Sequence, residues 1–170
     1  MKRWQKNQWF FLILSIFLVG CAPDVPEIKD GNSHVTEEMD EVISDYIVEK
    51  YKGIYYPSEK QFEVHRIYGT SEENGVINVN MWSYFSGFNK ANGVESQSGH
   101  SLPALIQLKK TDSGYEVIKY IEPKEGNQYA SSIKKMFPEK YAKIAVHDAE
   151  TIESLEKEMS EKVEDWLNEK

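Results

Sequence analysis

One cysteine, Cys21, stands in 170 residues, so no disulfide can form within the chain whatever the redox state around it. The four histidines, at 34, 65, 100 and 147, fall at no metal-ligand spacing: there is no HExxH and no pair four residues apart. That leaves no sequence basis for a metal centre. No glycine-rich segment ends in Gly-Lys-Ser or Gly-Lys-Thr, and no G-x-S-x-G elbow occurs, so neither a phosphate cradle nor that nucleophile is encoded locally. No cofactor is expected. Basic residues are in deficit, 20 against 28 acids for a net charge of −8. Such a surface repels nucleic-acid backbones, and a nucleic-acid partner is not expected.

What is present begins at the N-terminus. Lys2, Arg3 and Lys6 precede an apolar run, WFFLILSIFLVG, over residues 9–20. As a helix it would span roughly 18 Å, against roughly 30 Å of bilayer hydrocarbon. Its length and basic flank fit a secretory signal better than a permanent span. It closes on Leu18-Val19-Gly20-Cys21, which resembles the lipobox of bacterial lipoproteins. The resemblance implies cleavage after Gly20, a signal peptide over 1–20, and a diacylglyceryl group on the Cys21 thiol. Two acyl chains anchor stably where one does not. The expected address is therefore the extracytoplasmic face of the cell membrane, with membrane lipid as the first partner. Loss of 1–20 removes three basic residues and no acid, leaving 17 basic against 28 acidic. Residues 21–35, which begin CAPDVPEIKDGNSH, show neither helical nor strand period and read as a flexible tether.

Residues 36–170 read as one globular domain. Met39, Val42, Ile43, Tyr46, Ile47 and Tyr51 recur at helical spacing, with Thr36 as N-cap and Gly53 beyond the end. Strands are expected at 62–70, 76–85, 102–110 and 115–121. Asn74-Gly75 and a Thr-Asp-Ser-Gly turn at 111–114 make two hairpins. On the second strand Ile77, Val79, Met81 and Phe85 should share one face, and Trp82 and Tyr84 the other. Short helices are expected at 130–136 and 139–147, and a last one from the cap Asp148 to about 168. Glu153–Lys157 and Glu158–Lys162 stand at the spacing of favourable pairs on it. The fold class expected is α+β: a four-stranded antiparallel sheet with an N-terminal helix and C-terminal helices packed on one face.

The segment 86–101, SGFNKANGVESQSGHS, reads as a loop unusually long for a compact domain. Phe88, Asn89, His100 and Ser101 are its candidate partner contacts. Trp82 and Tyr84 are candidates for an aromatic groove that would take sugar or peptide. Glu63, Glu116 and Glu122 fall on strands, where a solvated face is the simplest account of them. Ile67-Tyr68-Gly69-Thr70, Met81-Trp82, Gly99-His100-Ser101-Leu102-Pro103 and Ile133-Lys134-Lys135-Met136-Phe137-Pro138 together resemble small uncharacterised lipoproteins of Gram-positive, spore-forming bacteria. That resemblance implies the envelope address and no activity. The expectation is a lipid-anchored, non-enzymatic module that binds or regulates an envelope protein or peptide. A solute- or polymer-binding module is the alternative, and an envelope hydrolase using His100 with Ser101 or a carboxylate the third reading.

Overall fold

The computed structural model describes residues 29–30, 35–146 and 148–169. The expected signal, Cys21, most of the expected tether, His34 and His147 lie outside them. Five antiparallel strands stand side by side in chain order: β1 (Lys29–Asp30), β2 (Lys60–Glu73), β3 (Val76–Phe88), β4 (Ser98–Thr111) and β5 (Gly114–Ile121). Helix α1 (Glu37–Tyr51) precedes β2, and α2 (Tyr129–Met136), α3 (Glu139–Ala145) and α4 (Ala149–Asn168) follow β5. The α+β class and the four long strands are as expected. The added strand is the two-residue β1, which pairs Lys29 with Thr70 and Asp30 with Gly69. Part of the segment read as tether is thus tied to the sheet edge.

Local chemistry sets the boundaries. Thr36 Oγ1 accepts from the Met39 N–H at 3.3 Å, relieving one of the orphan donors of α1. Asp148 Oδ1 does the same for Thr151 at 2.9 Å. Asn74 (φ 52°) and Gly75 (φ 75°) take the left-handed pair that a two-residue hairpin needs. Lys157, however, pairs with Glu161 at 3.7 Å. Lys162 leaves its helix face to reach the Glu63 carbonyl at 3.1 Å.

Helices cover both faces of the sheet, not one. Met39, Ile43, Ile47 and Tyr51 of α1 bury against Ile67, Val79, Met81, Phe85, Ala104, Ile106 and Leu108. On the opposite face Leu155, Met159, Val163 and Trp166 of α4 cover Val64, Trp82 and Phe88. Beside them Ile133, Phe137 and Tyr141 of α2 and α3 pack with Tyr68 and Leu105. The reason is written on β3, which is apolar on both sides: Val79, Met81 and Phe85 alternate with Trp82 and Phe88, all buried. A strand buried on both faces needs a layer on each. Two bulges break the pleat, between Ile67 and Gly69 on β2 and opposite Gln107 and Leu108 on β5. Each leaves one residue, Tyr68 or Ile118, without a partner across the ladder.

Candidate functional site

Seven of the sixteen residues expected as a long loop are strand. β3 runs on to Phe88 and β4 begins at Ser98, so only 89–97 connect them. Ser86 and Ser98 lie within the paired ladder, and Gly99 permits it: a Cβ there would overlap the Phe85 carbonyl. Gly99 is there because the two strands approach closely, whereas Gly93 and Ser96 belong to the connection. Phe88 is buried under α4, 6.2 Å from the Phe62 ring. Asn89 accepts the Glu59 N–H at 2.9 Å and ties the connection to the start of β2. His100 and Ser101 are neighbours on β4 and therefore face opposite sides of the sheet. His100 lies against Tyr51 of α1 with ring centroids 4.4 Å apart. Ser101 accepts the Trp82 indole N–H at 2.8 Å on the other face. They cannot act on one substrate atom together. Trp82 is 6% exposed beneath α4, and Tyr84 packs, half-buried, at the margin of the same cluster.

A polar cluster that the sequence reading missed lies between α1 and the sheet. Glu63, read as a solvated strand residue, is 1% exposed. Its Oε1 accepts from Ser83 Oγ at 2.6 Å. Its Oε2 accepts from Ser44 Oγ at 2.8 Å and faces His65 Nδ1 at 3.1 Å. The other ring nitrogen of His65 lies 3.0 Å from Asp40 Oδ1, off the line of a well-directed hydrogen bond. Burial by itself would lower the His65 pKa, but the Glu63 charge and the contacts with Asp40 and Glu63 outweigh it and raise it to about 10. His65 is thus an imidazolium held between two carboxylates. Asp40 is held below the ordinary carboxylate value, first by its contact with His65 and against partial burial. The residues are two apart on β2 and four apart on α1 (Asp40 and Ser44), so each pair shares a face of its element. Glu-x-His in step with buried Ile67 was the available signal.

Next to this cluster His100 is the opposite case. Burial pushes its pKa down to about 4 in spite of the Glu63 charge. It stacks on Phe85 at 5.5 Å and shares a hydrogen bond with the Tyr55 hydroxyl through Nδ1 at 3.0 Å. Burial raises the Tyr120 phenol, helped by the Glu63 charge. The His65 ring stands between the two carboxylates, so Asp40 and Glu63 do not converge on one point. Among the described residues no group of three His, Cys, Asp or Glu is arranged to hold a metal ion. A cavity of about 250 Å3, lined by Val35, Thr36, Glu37, Asp40, His65 and Ile67, reaches the rim of the cluster but not the Glu63 carboxylate, whose side chain is 0% exposed.

The surface feature of most chemical interest is the turn from α1 into β2. Ile54 is 63% and Tyr56 80% exposed, the two most exposed large hydrophobic residues described. A groove of about 450 Å3 beside them is lined by Val48, Tyr55, Pro57, Lys52, Glu59 and neighbours. It sits at the opposite end of β2 from the β1 pairing: Lys60 starts β2, and Gly69 and Thr70 hold β1. No described helix is long and apolar enough to cross a membrane. Compared with known proteins, the chain matches no family model, no curated protein and no solved structure.

Proposed function

We propose that the chain is a lipoprotein anchored through Cys21 on the extracytoplasmic face of the cell membrane, and that its domain binds an envelope protein or peptide without catalysing a reaction. The observation that carries the binding half of this reading is the apolar tip of Ile54 and Tyr56. Two large side chains this exposed, two positions apart in one turn, gain free energy when a partner covers them.

The anchor and the tip agree in position. From Cys21 to Lys29 the chain can reach at most about 28 Å. From Gly69 back to Lys60 β2 covers roughly 30 Å at about 3.3 Å per residue. A bilayer near the β1 end leaves the Ile54–Tyr56 end on the side remote from lipid, where an envelope partner meets it. The buried cluster supports a non-enzymatic role because its carboxylate is enclosed. A base must come within hydrogen-bond reach of substrate, and Glu63 is spent on Ser44, Ser83 and His65. Trp82 and Phe88, two of the aromatic residues on which the solute-binding alternative rests, pack under α4, which favours the protein-binding reading over it.

The test is photocrosslinking in cells of the native host, comparing the intact chain with Cys21→Ala and with Ile54→Ser/Tyr56→Ser. The expected result is one partner captured by the intact chain and lost in both variants. Equal capture by the Ile54→Ser/Tyr56→Ser chain would refute the tip. Equal capture by Cys21→Ala would refute the anchored reading.

A further inference from the structure

The two edges of the sheet are treated differently. At β2 the edge is tied by β1 at Gly69 and Thr70 and by the Lys162 ammonium on the Glu63 carbonyl. Among the described residues β5 is paired on one side alone, with β4. An open edge is a template for a further strand unless it is blunted. Lys119 on β5 would ordinarily do the blunting, since two copies would bring like charges together.

The β5 sequence alters that outcome. Residues 115–120 read Tyr-Glu-Val-Ile-Lys-Tyr, which reversed on itself sets Tyr115 against Tyr120, Glu116 against Lys119 and Val117 against Ile118. In an unbroken strand this register fails. Paired residues must share a face of the sheet, and positions an odd number apart lie on opposite faces. The bulge removes the objection. Val117 pairs with Leu108 and Lys119 with Gln107, leaving Ile118 as the extra residue. Across it Tyr115 and Tyr120 both pack on the α1 side of the sheet, while Glu116 and Lys119 are both exposed. A two-fold axis perpendicular to the sheet between Val117 and Ile118 therefore brings like faces together. It would form two Glu116–Lys119 cross-strand pairs and cover Ile118, which is 45% exposed.

We infer that β5 is a self-complementary edge through which two copies of this chain join their sheets into one. The interface is isologous, as a two-fold dimer requires. It is independent of the Ile54–Tyr56 tip, so either can fail without the other.

Sedimentation equilibrium of the full-length protein in density-matched detergent tests it. The unaltered chain should show twice the chain mass. Glu116→Lys alone and Lys119→Glu alone should each raise the dimer dissociation constant about tenfold or more, because two attractive cross-strand pairs become repulsive. Glu116→Lys with Lys119→Glu should restore the dimer. A monomeric unaltered chain would overturn the inference, as would single reversals that dimerise undiminished. As a check free of charge changes, a photoactivatable side chain at position 118 should give an adduct of two chains in membranes; adducts with other proteins alone would count against it.

Discussion

Glu63 and His65 show what burial does to an ion pair. Taking both from water is expensive, and the return comes only with good geometry and satisfied lone pairs. Here Ser44 and Ser83 supply the remaining hydrogen bonds to the carboxylate. Removing one member should therefore cost more than the pair contributes. Glu63→Gln keeps the shape and strands the imidazolium; unfolding in denaturant should show a loss of about 3 kcal/mol. His65 in that variant should titrate far below its present value of about 10, as read from its imidazole NMR signals. An unchanged titration would mean that the Glu63 charge does not hold the proton. Asp40→Asn should cost much less, because Asp40 is 58% exposed and water screens it.

At the scale of elements, the caps offer the cleanest test. Asp148 both caps α4 and accepts the Tyr68 hydroxyl at 2.8 Å. Asp148→Asn should be nearly silent in thermal unfolding, whereas Asp148→Ala should cost about 1–2 kcal/mol. Thr36→Ala should cost about 1 kcal/mol at α1 for the same reason. These boundaries were legible in the sequence, as was the Asn74-Gly75 turn, because each depends on a side chain or backbone preference within a few residues. The face assignment of Phe85 and Trp82 was legible from alternation. What could not be read is non-local. Nothing near Glu63 in the chain says that Ser44 and Ser83 will meet it. The bulge at Ile118 depends on how β4 lies opposite. Likewise Ser86 and Gly99, which look like loop residues, are strand residues because their partners across the ladder demand closeness.

For the whole molecule, the two buried histidines act in opposite directions on stability. His65 is raised from its ordinary value of 6.5 to about 10, so its contribution is complete below 6.5 and is lost as pH rises through 10. His100 is lowered from 6.5 to about 4, so its contribution is complete above 6.5 and is lost as pH falls through 4. Stability should peak near pH 6.5 and decline on both sides. In a series of denaturant melts across pH, His100→Gln should flatten the decline between 6.5 and 4 and leave the alkaline decline intact. The two-sided burial of β3 also has a temporal side. The chain emerges N-terminus first, on export as on synthesis, so α1 is available to its face of the sheet as soon as β4 has emerged. Val64, Trp82 and Phe88 have no cover until Leu155, Met159, Val163 and Trp166 arrive. Every nascent chain therefore passes through a stage with one adhesive sheet face bare, and a chain stopped before α4 would keep it. Arrival of the last helix is then the closing step of folding, and premature termination a route to aggregation.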